Sequence, residues 1–374
     1  MHRWLAVLLL IAALPILSRA DDDVKIGEFG SMTGPQATFG ISSDNGVKLA
    51  VSECNATGGI KGHKIQLIAD DDQGKSQETI TVVNRLIQED HVSALLGEVA
   101  SSLSIAAGQV CQRAGVPMVS PSSTNPKVTA IGNMVFRVCF IDPFQGYVGA
   151  KFANDNLHLK TAAVLYDRSQ AYSSGLRSNF TKAFEKMGGK VAIEQAYTGG
   201  DNDFNAQLTA IRSANVDFIY IPGYYTEVVN IAVQARKLGL TIPLIGGDGW
   251  DSSELKNAGK ALDDCYYSNH YAHENPSPTV QDFVKKYGET YNGAIPDGLA
   301  ATGYDAAKLL FDAMGRAKSF SGEDIAAALA ETKDFKGVTG TITIDANRNA
   351  KKSAVMLKIT DGVSSYAATI DPPQ

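Results

Sequence analysis

The feature that most constrains this chain is an alternation of short strand-like runs with helical patterns, each run closed by a small polar turn. Val24–Phe29 leads into Gly30-Ser31-Met32-Thr33-Gly34-Pro35 and a helix to about Asn55. Lys64–Ala69 ends in Asp70-Asp71-Asp72-Gln73-Gly74, ahead of a helix from about Ser76, which reads as its N-cap. Ser93–Gly97 precedes a Ser-capped helix from Ser101 to about Arg113, and Pro117–Val119 ends at Ser120-Pro121-Ser122-Ser123-Thr124-Asn125-Pro126. The alternation restarts at Ala162–Tyr166, Lys190–Tyr197, Asp217–Ile221 and Pro243–Ile245, with helices near 172–187, 204–213 and 224–237. Val228, Ile231, Ala232, Ala235 and Leu238 make a core-facing stripe on the last of these. Such alternation builds βαβ units and parallel sheets, and two separate series predict two doubly wound α/β domains. The stretch from about 277 to 330 reads as helical, with Val280, Phe283, Val284, Tyr287 and Tyr291 on one stripe. Gly340–Ile344 and Ala354–Ile359 return to strand.

The N-terminus is of another kind. Met1–Ala20 has a short basic start, an apolar stretch from Trp4 to Leu17, then Ser18-Arg19-Ala20. That order predicts a cleavable secretory segment with Asp21 as the first mature residue, hence a periplasmic protein. Cys54 is the first cysteine, too far downstream to carry a lipid. A formal charge of −6 with interspersed signs excludes the basic stripe of a nucleic-acid binder. Beyond the N-terminus no apolar run reaches the roughly 18 residues of a membrane span.

Cys54, Cys111, Cys139 and Cys265 lie far apart, and none of the six histidines has metal-ligand spacing to them. Cys54 falls on a stripe with Val47, Ala50 and Val51, and Cys111 on one with Ala107, Val110 and Ala114. Both read as small buried apolar side chains, and neither a metal nor a cofactor is expected.

Open parallel sheets bind ligands at the carboxyl ends of their strands, where helix N-termini present free N–H groups. In the first series that edge carries Ser101-Ser102, Ser122-Ser123-Thr124 and the Gly30–Gly40 loop, which together suit a carboxylate. The second offers Tyr166-Asp167-Arg168-Ser169 with Tyr172, Gly223-Tyr224-Tyr225, and Gly246-Gly247-Asp248-Gly249-Trp250. A carboxylate among glycines, with tyrosine rings beside it, suits an ammonium group. Enzyme signatures fail: Gly27, Gly30 and Gly34 do not spell GxGxxG, and GxxxxGK[ST], GxSxG and HExxH do not occur. Asp70–Asp72 reads as a solvated turn, and no histidine is placed to serve a serine cluster as base. No catalytic residue is assigned: the chain reads as a binder.

Several segments occur in a telling order: Ile26-Gly27 with Ser31-Met32-Thr33-Gly34-Pro35, Asn55-Ala56-Thr57-Gly58-Gly59-Ile60-Lys61-Gly62, Ala69-Asp70-Asp71, Ser120-Pro121 with Thr124-Asn125-Pro126, Asp142 with Gln145-Gly146, and Gly223-Tyr224-Tyr225 through Gln234-Ala235-Arg236 to Gly239-Leu240. The set resembles the branched-chain amino-acid-binding proteins of bacterial ABC importers, which have the type I periplasmic binding fold. The resemblance implies two Rossmann-like lobes joined by three crossings near Ile141, His270 and Ala354. It places 21–141 and 270–353 in an N-terminal lobe, and 142–269 and 354–374 in a C-terminal one. Such lobes close on ligand by hinge motion, and the closed monomer docks on a membrane permease.

The resemblance also implies roles. Residues matching Ser101 and Thr124, with backbone near Val99 and Ser122, hold the ligand carboxylate and help with the ammonium. Tyr224 and Asp248 come from the other lobe, with the acid pairing with the ammonium. Phe39 and Tyr172 match aromatic positions around the ligand side chain, and no role is carried over to the Asp297–Leu299 segment. Two positions depart from the family pattern: Asp248 stands where several relatives have Glu, and Ser122 where Gly or Ala is common. An aliphatic, branched-chain amino acid is the ligand expected. The alternatives are another small carboxylate or amide (an aromatic acid, a short-chain amide, urea), or a sensory protein that reports its ligand to a receptor.

Overall fold

The computed structural model describes residues 23–373; the segment read as a secretory leader lies outside the described residues. The first half comprises β1 (Val24–Gly30), α1 (Ala37–Ala56), β2 (Ile65–Asp71), α2 (Ser76–Gln88), β3 (Ala94–Leu96), α3 (Ser101–Ala114), β4 (Met118–Ser120) and β5 (Val135–Arg137). The chain then crosses into α4 (Asp142–Lys151), β6 (Thr161–Asp167), α5 (Ala171–Lys186), β7 (Lys190–Tyr197), α6 (Asn205–Ala214), β8 (Phe218–Ile221), α7 (Tyr225–Lys237), β9 (Leu244–Gly246) and β10 (Cys265–Asn269). Three helices follow: α8 (Pro278–Thr290), α9 (Gly298–Arg316) and α10 (Gly322–Ala330). The strands β11 (Phe335–Gly337), β12 (Gly340–Ile344), β13 (Ala350–Lys351), β14 (Ala354–Thr360) and β15 (Val363–Ile370) end the fold.

Two large sheets result, ordered β2-β1-β3-β4-β5 and β15-β14-β10-β9-β8-β6-β7. Relabelled from its own first strand, the core of the second sheet repeats the order of the first, and both cores are wholly parallel. In each, the strand order reverses beside the first strand, which opens a crevice at the carboxyl edge. Within these two sheets only β14 and β15 run antiparallel, extending the second at one side, and β11, β12 and β13 form a separate antiparallel sheet. Helices cover both faces of the parallel strands, so β3, β8 and β9 are short and buried throughout.

The first core joins Ile26, Leu96, Val119 and Phe136 to Leu309, Leu310 and Met314 of α9, and the second gathers Val164, Leu165, Ile219 and Ile245 under Phe180, Ile231 and Trp250. Helix α9 lies directly on α1. A Cβ on Gly46 would stand 2.0 Å from the Ala300 carbonyl oxygen, and one on Gly303 2.5 Å from that of Ser43, so the crossing requires glycine at both. The stripe on α7 is buried at Val228, Ile231, Ala232 and Ala235, while Leu238 at its C-cap is half-buried. All four cysteines are free, with Cys111, Cys139 and Cys265 buried and Cys54 partly so.

The helix starts correct the sequence reading. Ser76 and Ser101 are the first helical residues, not the caps; Lys75 and Ala100 hold the cap positions without side-chain bonds. Buried carboxylates hold the turns that lead into these helices: Asp72 accepts from Gly74 N–H at 3.0 Å and Thr79 Oγ1 at 3.0 Å, and Glu98 accepts from the N–H of the cap residue Ala100. Asp72 is therefore not the solvated turn residue its neighbours suggested. It is fully buried, because it continues β2 beneath the loop after β1, where Ser31 Oγ, shared with Glu98, lies 3.2 Å from it.

Candidate functional site

The carboxyl edges of the two sheets face each other across a narrow, tightly closed gap whose free volume is ≈ 10 Å³, about that of one water. Its walls are Phe39, Val99, Ser122, Tyr172, Tyr224, Asp248, Gly249 and Leu299. Six of these are residues singled out from sequence; Ser101 and Thr124, also singled out, are buried but do not line it. Gly249 and Leu299 were assigned no role. Leu299 is the second residue of α9, directly after Pro296-Asp297-Gly298, where no periodicity points it at a cleft.

The aromatic wall is tightly organised. Tyr172 stacks on Tyr224 with ring centres 5.1 Å apart, and Phe39 meets Tyr224 edge-on at 5.6 Å and Tyr225 at 4.9 Å. Burial keeps the Tyr172 and Tyr224 phenols neutral by pushing their ionisation well up. Tyr172 Oη accepts the Gly249 N–H at 3.2 Å, which ties α5 to the turn that carries Asp248.

Asp248 opens a 3-10 turn, Asp248–Trp250, directly beyond β9, and is buried. Its Oδ1 accepts from Gln145 Nε2 at 2.7 Å; its Oδ2 accepts from Ser122 Oγ at 3.2 Å and faces His270 Nε2 at 2.9 Å. These partners come from α4, the loop after β4 and the chain just beyond β10. Burial lowers the His270 imidazole below its ordinary value, against the opposing pull of Asp248. Asp142, at the start of α4, is buried; burial, with the Asp248 charge adding to it and the neighbouring Thr124 hydroxyl opposing it, pushes it up to about 8.

The expectation that no histidine approaches a serine cluster is overturned: Ser122 Oγ lies 3.3 Å from His270 Nε2. The separation in sequence, 148 residues, concealed this contact. A catalytic relay nevertheless needs serine on one ring nitrogen and carboxylate on the other. Here Ser122 and Asp248 share Nε2, and Nδ1 is buried without a partner.

On the first sheet's edge most hydroxyls serve the protein's own backbone. Ser123 Oγ donates among Glu98 O, Val99 O and Ser104 Oγ at 2.9, 2.9 and 2.7 Å, and Ser120 Oγ donates to Glu98 O at 2.7 Å. Ser101 Oγ accepts the Asn125 N–H at 3.2 Å and keeps its own hydrogen to give, while the Thr124 hydroxyl neighbours Asp142. The edges are also latched together. Tyr225 Oη donates to Pro35 O at 2.8 Å, Thr38 Oγ1 meets Ser252 Oγ at 2.9 Å, and Asn125 Nδ2 donates to Ala171 O at 2.7 Å.

Residues 23–362 match the family model of the periplasmic binding proteins. The chain belongs to that family. This periplasmic binding protein is 31% identical to the Leu/Ile/Val-binding protein homolog 2 of Brucella abortus, over 92% of its own length and 93% of the relative's. Among solved structures it is similar to the leucine-binding protein LivK of Thermotoga maritima, with a TM-score of 0.90 and 39% identity over 93% of this chain and 99% of that one. It is also similar to the branched-chain amino acid transporter substrate-binding protein LivJ of Streptococcus pneumoniae in complex with isoleucine, with a TM-score of 0.89 and 32% identity over 94% and 100%. The fold is therefore type I, two α/β sheets facing one cleft. Among the described residues no group of three or more acidic, His or Cys side chains is arranged to hold a metal ion.

Proposed function

We propose that this chain is the solute-binding component of an ABC importer, capturing a branched-chain amino acid between its lobes and delivering it to a membrane permease. The observation that carries the reading is Asp248, the one charged side chain in a buried wall that is otherwise aromatic, aliphatic or, at Ser122, neutral polar. A ligand ammonium answers that charge, with the Tyr172 and Tyr224 rings beside it. The ligand carboxylate meets the opposite edge: the Thr124 hydroxyl, the free hydrogen of Ser101, and backbone at Val99 and Ser122. Phe39, Val99, Tyr172 and Leu299 take the aliphatic side chain. Leucine, isoleucine and valine are the ligands that the names of the similar proteins also favour.

The proposed working unit is monomeric, exported to the periplasm by cleavage after Ala20, and non-enzymatic. It needs no cofactor and has no nucleic-acid partner. Its N-terminal lobe is 21–141 with 270–353, and its C-terminal lobe 142–269 with 354–374. In support, β1 to β5 share one sheet, while β6 to β10 share the other with β14 and β15. Ligand held between the two edges adds its contacts to the latches at Pro35, Thr38 and Asn125 and so favours the closed form that the permease reads.

A thermal-shift panel of the twenty amino acids with amides, urea and aromatic acids tests the reading. A true ligand at 100 times its dissociation constant stabilises by about 2.7 kcal/mol. Stabilisation by branched-chain amino acids is the expected result. Stabilisation by benzoate-like acids and by no amino acid would overturn it, because such a ligand has no group for Asp248.

A further inference from the structure

Asp248 is held in place from outside its own turn. Gln145 donates to one oxygen at 2.7 Å, and Ser122 to the other at 3.2 Å. The third partner, His270, is the one titratable side chain bonded to the carboxylate. Its ring is buried and stacked on Phe140 with centres 3.9 Å apart at 28°, so it has little freedom to turn away. We propose that His270 is a positioning residue of the ammonium subsite: as a neutral ring it donates Nε2–H to Asp248 and presents the carboxylate to the ligand, and on protonation it cancels that charge and expels the ammonium. The inference rests on the reading of Asp248 as the ammonium partner.

The tautomer follows from the contacts. Nε2 has a carboxylate 2.9 Å away, whereas Nδ1 is buried with no partner. A neutral ring therefore carries its proton on Nε2, where it has an acceptor. A charged ring would add a buried Nδ1–H with nothing to receive it, and burial lowers the pKa in the same sense. At neutral pH the ring thus adds no positive charge beside Asp248. Acidification converts the same contact into an internal ion pair. Ligand ammonium and the second imidazole proton then compete for one carboxylate, so affinity falls as pH falls through the His270 pKa.

The other charged or titratable groups around this pair hold one form across the mildly acidic range. Asp142 on α4, pushed up to about 8, stays protonated, and Lys352, lowered to about 8 by burial, stays charged. Arg137 stays charged; Cys139, pushed up to about 12, and Tyr172, Tyr220 and Tyr224 stay neutral. Asp251, on the turn that Asp248 opens, is raised by burial and engaged by Tyr267 Oη at 3.0 Å and Asn269 Nδ2 at 2.8 Å. It contributes any slope that survives removal of the imidazole.

The test is calorimetric titration of leucine into the full chain from about pH 7.5 to about pH 4.5, for wild type, His270→Gln and His270→Phe. Wild type is expected to lose about tenfold or more in affinity towards acid. His270→Gln retains a donor near the Nε2 position but does not titrate; its affinity stays within about threefold of wild type at pH 7.5, and its profile keeps at most the shallow slope that Asp251 supplies. His270→Phe keeps the stacking surface and loses the donor, and binds about tenfold more weakly even at neutral pH. A flat wild-type profile, or an unchanged slope in His270→Gln, overturns the inference and leaves the proposed function standing. A wild type that binds no amino acid at any pH overturns both. Nitrogen-detected imidazole spectra of the wild type decide the matter even if both variants misfold: an Nε2–H ring whose pKa drops on adding leucine supports the proposal, and an Nδ1–H ring contradicts it.

Discussion

Glu98 and Asp248 are both carboxylates buried at the carboxyl edge of a sheet, one in each half of the molecule, and they are held in opposite ways. Glu98 accepts the Ser31 N–H at 3.0 Å, the Ser31 hydroxyl at 2.9 Å and the Ala100 N–H. All its donors belong to loops of its own sheet. Asp248 takes its donors from three distant stretches of chain, one of them beyond the opposite sheet. A carboxylate whose donors move with it serves the fold whether the cleft is open or shut. One whose donors lie on both sides of the cleft reports how the two sheets are placed. Glu98 braces the loops around the start of α3 and does not line the cavity, whereas Asp248 does.

The largest expected effect breaks the ligand side of this contrast. Asp248→Ala should weaken leucine binding by about 2–5 kcal/mol, because it leaves a buried ammonium unpaired. Titration calorimetry measures this, and unchanged affinity would remove Asp248 from the site. Glu98→Gln should act on stability alone, lowering unfolding free energy in urea by ~1–3 kcal/mol while leaving leucine affinity within about twofold.

The Glu98 contribution also depends on pH. Burial and the nearby Asp72 raise Glu98 from 4.5 to about 8, so the folded protein keeps a proton that the unfolded chain releases near 4.5. Its contribution is present in full below that value and is lost as pH rises towards about 8. The Glu98→Gln variant removes this slope, which urea midpoints compared with wild type at each pH will show. Asp142, raised in the same way, leaves its own slope behind.

Smaller effects sharpen the comparison. Ser122→Ala removes one neutral donor at 3.2 Å from Asp248 and should cost about 0.5–1.5 kcal/mol of ligand affinity. Tyr225→Phe deletes the bond to Pro35 O across the cleft. It should shift the ligand-free protein towards an open form by about 0.5 kcal/mol, read as a larger radius of gyration in solution scattering.

Much of this architecture was legible in the sequence because its strands and helices repeat. The strands before Gly30, Asp70, Asp167 and Gly246 appear where the alternation put them, to within a residue or two. Helix α4 escaped notice because Pro143, Gly146 and Gly149 look like breakers. In the fold, a Cβ on Gly146 would lie 2.6 Å from the Phe180 nitrogen, so the glycine is there for helix packing. Strand β15 escaped because it is an exposed edge rich in Ser and Ala, and β5 because it is three residues long. At the cleft, Phe39, Tyr172, Tyr224 and Asp248 follow strands or turns that a sheet-edge argument finds. His270 does not: its meeting with Asp248 depends on how the two sheets face each other, and no local pattern encodes that.

The central claim is that Asp248 recognises a ligand ammonium. Calorimetric comparison of leucine with 4-methylpentanoate, the same carbon skeleton without the amino group, tests it most directly. The account predicts that leucine binds and that the des-amino acid loses at least about a hundredfold in affinity, the scale of a buried charge pair removed. Equal affinity for the two would contradict it.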